Sequence, residues 1–127
     1  MIAADTSTWV AYLEGATETD AEALRRTLID KQAVMAPLVL SELLSDPKLP
    51  SHVAASLAGL PLIQITAGYW QRAGLLRAKV LARGRRARLG DALIAQSCID
   101  DGALLLTRDH DFRMLETAAG VDLLIDY

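Results

Sequence analysis

Four acidic residues interrupt apolar segments of this chain. Asp5 follows the opening MIAA, Glu42 lies inside VLSELL, Asp91 opens DALIAQ, and Asp109 follows LLLTR directly. A globular protein rarely places carboxylates in such segments unless a partner offsets the cost of burying charge. We therefore predict that the fold gathers these four acids to hold a cation.

The residue types indicate which cation and which reaction. Neighbouring carboxylates raise one another's pKa, so they stay ionised together only beside a positive charge. Oxygen ligands favour hard ions, so Mg²⁺ is the expected cofactor and Mn²⁺ an expected substitute. Such an ion holds a phosphate and activates water, which predicts hydrolysis of phosphodiester bonds. Thr6, Ser7 and Thr107 flank the acids, and their hydroxyls would either orient carboxylates or serve as ordinary helix caps. Asp5 and Asp91 also fit a simple role at a helix start.

Positive charge is concentrated in one stretch, although the net charge is -3. Between Pro47 and Gly90 there is no Asp or Glu, and this stretch contains Lys48, Arg72, Arg77, Lys79, Arg83, Arg85, Arg86 and Arg88. The segment GRRARLG brings the last three arginines directly before Asp91. We interpret Arg85, Arg86 and Arg88, with Arg108 beside Asp109, as binding residues for a polyanionic substrate. The alternative is a solvated helix face with ordinary cations.

Strands and helices must alternate to position these residues. Strands are predicted at Ile2 to Ala4 and over 33–35, 61–65, 103–106 and 121–125, with helices starting near 6, 20, 37, 51, 67, 90 and 110. This alternation predicts an α/β fold of three layers, with a central, mostly parallel sheet of about five strands flanked by helices. Ligands bind beyond the carboxyl ends of parallel strands, where Asp5 and Asp109 are expected to lie.

Length and composition limit the remaining possibilities. The 127 residues are enough for one domain, which we expect to span 1–127. Hydrophobic residues make up 52% of the chain, but no apolar run is long enough to suggest a membrane span. The start lacks the features of a signal peptide, so we expect a cytoplasmic protein without a membrane partner. The lone Cys98 permits no internal disulfide and is predicted to be a small core residue.

Four motifs together resemble a known family over the whole chain. The segments IAADTSTW, SELL, GDALIA and LLTRDHDF are similar, in this order, to the acidic motifs of PIN-domain ribonucleases, and specifically of VapC toxins from bacterial type II toxin-antitoxin pairs. The resemblance implies a PIN-like fold in which the metal-binding catalytic acids are Asp5, Glu42, Asp91 and Asp109. It also implies that Ser7 and Thr107 are supporting hydroxyls and that Asp111 is a further metal-binding acid in some members.

The same resemblance implies an activity and partners. It implies an endoribonuclease dependent on Mg²⁺ or Mn²⁺ that cleaves structured RNA such as tRNA or ribosomal RNA. It further implies a homodimer, inhibited by a cognate antitoxin whose tail occupies a groove of the toxin. Residues 47–80 vary within the family and do not identify an RNA target.

Two other classes of function stay open at this point. A receiver-like signalling domain also gathers acids around Mg²⁺, but it needs an acid after the central strand and a late lysine. Here no acid follows Ile65 closely, and no lysine follows Lys79. A non-catalytic PIN-like protein, whose acidic crevice only binds a partner's arginine, is the second alternative. His52 and His110 are too few and too far apart for a zinc site.

Overall fold

Helices predominate in the computed structural model of the chain, which describes residues 1–125 and leaves residues 126 and 127, the end of the predicted domain, outside the described part. Within residues 1–125 there are two strands, β1 (Ile2–Ala4) and β2 (Leu104–Leu106). The same residues form helices α1 (Thr6–Leu13), α2 (Thr19–Ile29), α3 (Pro37–Leu44), α4 (Ser51–Ala58), α5 (Tyr69–Ala82), α6 (Leu89–Asp101) and α7 (Phe112–Ala119). The predicted α/β class is confirmed, but only two of the five predicted strands are strands within these residues.

All pairing between extended segments is parallel in this part of the chain. β1 pairs with β2 in the register Ile2 to Leu104 through Ala4 to Leu106. The other three segments predicted as strands make only isolated bridges: segment 33–35 pairs at Ala33 with Ile2 and at Met35 with Leu62 of segment 61–65, and Leu124 of segment 121–125 pairs with Leu105. Each of these segments is joined to its neighbour by only a few backbone hydrogen bonds and is not a strand. The five-stranded sheet therefore stays a prediction.

The end of the paired strands fixes where the acids lie. The Asp5 amide donates to the Leu106 carbonyl at 3.0 Å, one residue beyond the last β1 pair. Thr107 follows β2 directly. Parallel strands present their carboxyl ends at the same edge of a sheet, so the chain leaves both strands at one place.

Local backbone chemistry moves two helix starts from their predicted positions. α5 begins at Tyr69, two residues later than predicted, because Gly68 has the left-handed φ of 84° and interrupts the helical backbone before it. α7 begins at Phe112, two residues later than predicted, because a turn closed by Asp109 occupies residues 109–111. In that turn, the Asp111 amide donates to Asp109 Oδ1 at 2.9 Å.

The core fixes α6 against the paired strands. Met35, Leu105 and Cys98 are fully buried, and α6 packs mainly against α5 and α3. Burial raises the pKa of the Cys98 thiol to about 12, so the predicted core role of this residue is confirmed and its thiolate is disfavoured. No helix within residues 1–125 has the length and apolar composition needed to cross a membrane. The packing of α6 sets the position of Asp91 in its first turn.

Candidate functional site

Asp5 lies at the junction of β1 and α1 and is almost completely buried. As the N-cap of α1, it accepts a hydrogen bond from the Thr8 backbone amide at 3.0 Å on Oδ1. The Ser7 hydroxyl donates to both carboxylate oxygens at 2.9 Å, and the Thr107 hydroxyl donates to Oδ2 at 2.7 Å. Asp5 is thus both a helix cap, as its sequence context allowed, and a carboxylate oriented by the two predicted supporting hydroxyls.

The donors around Asp5 leave capacity for a cation. Ser7, Thr8 and Thr107 supply one hydrogen each, so three hydrogens are shared by the two carboxylate oxygens. An ionised carboxylate offers about four lone-pair sites. About one lone pair of the Asp5 carboxylate therefore stays available, and the three hydrogen bonds fix the direction in which it points.

Thr107 connects Asp5 to Asp109. Its hydroxyl oxygen donates to Asp5 and accepts a hydrogen bond from the Asp109 amide at 2.9 Å. The Asp109 carboxylate in turn closes the turn to Asp111. These bonds join the segment after β2 to the start of α1, so a displacement of either segment displaces both carboxylates.

Glu42 reaches the site from α3. The Thr6 hydroxyl, at the start of α1, donates to Glu42 Oε1 at 2.8 Å. Glu42 itself is exposed, while its neighbours Leu43 and Val39 are buried. The expectation that this acid interrupts a core segment was therefore wrong: the apolar residues around it follow the helical period, and Glu42 lies on the solvent side.

The pKa of Asp91 depends on the charges of the other three acids. Burial and the Asp109 carboxylate raise its pKa from the ordinary 3.8 to about 6, against an opposing effect of Arg88. The charges of Asp5 and Glu42 contribute smaller parts of this rise. The charges of acids from three other segments thus act on Asp91. The predicted grouping of all four acids around one cation stays a prediction.

The donor set fits a hydrated hard cation. The four candidate ligands are carboxylates, which bind through oxygen, and the effect of the other three charges on Asp91 favours a positive charge beside it. In the part of the chain that the structure describes, no three acidic, histidine or cysteine side chains are close enough together to hold one metal ion directly. Mg²⁺ commonly binds through one or two carboxylates and keeps several waters, so wider spacing of the acids suits it.

Two of the predicted substrate-binding arginines share a cavity with one of the four acids. Arg86 and Arg88 line a cavity of about 430 Å³, and its other wall includes Asp91 and Asp111. Arg77 fixes this loop because its Nε donates to the Ala87 carbonyl at 2.8 Å. Arg85 belongs to the same exposed loop but does not line the cavity.

Arg108 is held away from this cavity by Asp20. Its Nε and Nη2 donate to the two carboxylate oxygens of Asp20 at 2.8 and 2.9 Å, and Glu18 lies 3.7 Å away. Burial alone raises the pKa of Asp20, but hydrogen bonds from Arg108 and Thr8 outweigh it and lower the pKa. Sequence analysis missed Asp20, because an acid in the first turn of a helix is a common surface residue.

Comparison with known proteins places these observations in a family context. The family model described as "PIN domain" matches residues 2–117, a range that contains all four acids. The chain is 30% identical over 122 residues to the VapC ribonuclease Mb1587 of Mycobacterium bovis, and the match covers 91% of each chain. It has the same identity and coverage with the ribonuclease VapC11 of Mycobacterium tuberculosis. The similarity therefore extends over nearly the whole chain.

Repulsion at Asp91 predicts a measurable effect on stability. Because its pKa is about 6 when folded and lower when unfolded, the ionised carboxylate destabilises the folded state above that pH. Asp91→Asn should therefore raise the free energy of unfolding at about pH 8 in EDTA by about 1 kcal/mol, discounted for partial exposure. The gain should shrink as the pH falls through 6 towards 3.8, as the wild-type carboxyl becomes protonated.

Urea unfolding in EDTA at several pH values measures this difference. Asp101→Asn is the matched control, because Asp101 is exposed at the other end of α6. It should leave the pH dependence of unfolding as in the wild type. Equal destabilisation by both substitutions at about pH 8 would contradict the proposed repulsion.

Proposed function

The chain belongs to the PIN-domain family, and from this premise we propose that it is a metal-dependent endoribonuclease, the toxin of a VapBC-type toxin-antitoxin pair. The observation that carries the proposal is the rise in the pKa of Asp91 caused in part by Asp109, Asp5 and Glu42. Carboxylates from four segments gathered in this way suit the binding of a divalent cation. The names of the similar mycobacterial proteins, which are ribonucleases, support the same activity for this chain.

The acids and the hydroxyls beside them have different parts in the proposed site. Asp5, Glu42, Asp91 and Asp109 would hold hydrated Mg²⁺ or Mn²⁺, some of them through bound waters. Asp111 lines the same cavity as Asp91 and would contribute in the same way. When bound, the ion supplies positive charge that polarises the scissile phosphate and activates water for hydrolysis. The chain's hydroxyls keep the carboxylates in place: Ser7 and Thr107 orient Asp5, and Thr6 orients Glu42.

We propose the finer architecture on the same premise. The segments around Leu62, Met35, β1, β2 and Leu124 lie side by side through parallel bridges and backbone hydrogen bonds. We propose that together they form the central sheet of about five strands, within one PIN domain that spans 1–127. The acids then lie at the carboxyl edge of this sheet, where ligands of parallel sheets bind.

Cleavage of RNA tests the proposed activity directly. Purified, antitoxin-free protein should cut total bacterial RNA into discrete fragments with Mn²⁺ and should leave it intact in EDTA. Asp5→Asn and Asp91→Asn should each lower the cleavage rate by more than about 100-fold, because each removes a charge that holds the ion. Gel electrophoresis of the products, with Asp101→Asn as the exposed control, measures this loss.

Two outcomes would decide against the proposal. Cleavage that continues in EDTA, or that survives both substitutions, would exclude the metal-dependent site. Absence of cleavage by folded protein that binds Mn²⁺ would favour the non-catalytic binding role.

We propose that the arginine loop, residues 83–88, binds the RNA backbone beside the acids. Arg86 and Arg88 extend into the cavity that contains Asp91, so a phosphate bound by them would lie next to the proposed ion. Guanidinium groups bind phosphate through two parallel hydrogen bonds, which suits them to this contact. Arg72 has a structural role instead, because its guanidinium is paired with Asp100 at 2.7 Å.

Salt dependence distinguishes a phosphate contact from a general charge effect. Arg86→Ala should weaken RNA binding and reduce the slope of log affinity against log salt by about 0.7 to 0.9. Lys79→Ala removes an exposed positive charge from α5, outside the cavity, and should leave the slope unchanged. Filter binding by the inactive Asp5→Asn protein across a salt series provides the measurement. Equal slopes for the Asp5→Asn protein and for its Arg86→Ala and Lys79→Ala variants would show that the loop does not bind the RNA backbone.

We propose that a groove between α1, α3 and α4 receives the cognate antitoxin. This groove has a volume of about 290 Å³ and is partly apolar, with Val10, Leu13 and Val53 in its walls. Its charged residues are mostly acidic, and Glu42 of the candidate site is among them. An amphipathic antitoxin segment with a basic residue facing Glu42 matches both properties. We propose, from the family alone, that the chain is a cytoplasmic homodimer.

A charge placed in this groove should prevent antitoxin binding. Leu13→Glu should lower the yield of co-expressed antitoxin in affinity purification by more than about tenfold, because it buries an unpaired charge in the apolar contact. RNA cleavage by the free variant should continue, since Leu13 does not hold the ion. Leu75→Glu adds the same charge to an exposed position on α5 and is the control. Equal antitoxin yields from both variants would exclude this groove.

A further inference from the structure

We propose that Asp20 is a positioning residue for the candidate site, which it holds in shape through Arg108 and Thr8. The inference rests on the proposed function for its catalytic meaning. Its structural part rests on the hydrogen bonds of one buried carboxylate.

Asp20 joins three segments of the chain. It lies in the first turn of α2, and only 3% of it is exposed. Its Oδ2 accepts from Thr8 Oγ1 of α1 at 3.0 Å and from Arg108 Nε at 2.8 Å, while its Oδ1 accepts from Arg108 Nη2 at 2.9 Å. The two bonds from Arg108 fix the guanidinium in direction as well as distance. One carboxylate therefore ties α2 to α1 and to the segment after β2.

Both partners of Asp20 adjoin groups that hold Asp5. The Thr8 backbone amide donates to Asp5 Oδ1. Arg108 lies between Thr107, whose hydroxyl donates to Asp5 Oδ2, and Asp109, whose amide donates to that hydroxyl. Asp20 does not contact Asp5, but it binds Thr8 and Arg108 and so fixes the residues that donate to both oxygens of Asp5. We assign this positioning role to Arg108 in place of the substrate-binding role predicted from the sequence.

Charge makes the arrangement sensitive to the identity of residue 20. Replacement of Asp20 by a neutral residue leaves the Arg108 guanidinium without this carboxylate, one residue from Asp109. The Arg108 side chain is 35% exposed and can turn towards other anions. Glu18 already lies 3.7 Å from Arg108 Nη2, and Asp109 is the next residue along the chain. A guanidinium that turned towards Asp109 would compete there with the divalent ion.

The chain offers a matched control for this ion pair. Asp100, on α6, accepts from Arg72 Nε at 3.1 Å and from Arg72 Nη2 at 2.7 Å, and it also accepts from Gln96. Its side chain is 13% exposed. Asp100 lies nine residues after Asp91 on the same helix, which places it about 13 Å along the axis from the site. Asp100→Asn therefore breaks a similar bidentate pair without touching the donors of Asp5.

The experiment compares Asp20→Asn and Asp100→Asn in the full chain by three readouts. Amide hydrogen exchange without metal compares the Asp109 and Thr8 amides with the core Leu105 amide. Calorimetry gives the Mn²⁺ affinity, and the RNA assay gives the cleavage rate. For Asp20→Asn we expect the Asp109 and Thr8 amides to exchange at least about tenfold faster relative to Leu105, with an about 10- to 100-fold loss of Mn²⁺ affinity and a lower cleavage rate. Asp100→Asn should change none of these readouts.

Unchanged relative exchange and Mn²⁺ affinity in Asp20→Asn would overturn the proposal. If Asp20→Asn does not fold, Arg108→Lys replaces it in the experiment. This variant keeps the positive charge but cannot make the two parallel hydrogen bonds to Asp20, and it should give smaller changes in the same direction. Wild-type-like exchange in Arg108→Lys would then overturn the proposal. If the wild type binds Mn²⁺ but cleaves no RNA, the proposed activity fails, while exchange and affinity still test Asp20.

Discussion

Repulsion among carboxylates at the carboxyl ends of two parallel strands is the constraint on which this structure depends. Asp5 and Asp109 leave β1 and β2 at the same edge, and Asp91 and Glu42 approach from α6 and α3. Without a cation, the fold must hold this negative charge together by its packing. The hydrogen bonds around Asp5 and Asp109 keep two of the carboxylates that act on Asp91 in fixed positions.

The structure meets this constraint through layers of hydrogen bonds. Three donors surround Asp5, and one of them, Thr107, also receives the Asp109 amide. A second layer, Asp20 with Arg108, ties the segments that carry these donors. Ser7 and Thr8 follow β1, and Thr107 follows β2. The position of the Asp5 carboxylate therefore depends on the pairing of the two strands and, through Asp20, on α2. The burial of the Asp20 carboxylate is offset by its hydrogen bonds from Arg108 and Thr8.

The sequence allowed the α/β class to be predicted from local patterns, and the same patterns singled out the four acids, whose role at a metal site stays a prediction. Alternating apolar periods revealed the helices, and acids directly after apolar segments indicated the site. Side-chain pairing over long distances was beyond such patterns. Arg72 and Arg108 belong to ion pairs with Asp100 and Asp20, and only the folded chain brings these partners together. Glu42 was misjudged for a related reason: an apolar neighbourhood in sequence did not reveal which side of α3 faced solvent.

The same charge distribution links the proposed ion to the proposed substrate. RNA brings phosphates to a site that already contains several carboxylates, so the acids alone would repel it. Arg86 and Arg88 offset part of this charge at the wall of the cavity, and Arg88 lowers the pKa of Asp91. A divalent ion between the carboxylates would offset the rest, and it would attract the phosphate as well as the acids. Metal and RNA thus reduce the same repulsion, and binding of either should favour binding of the other.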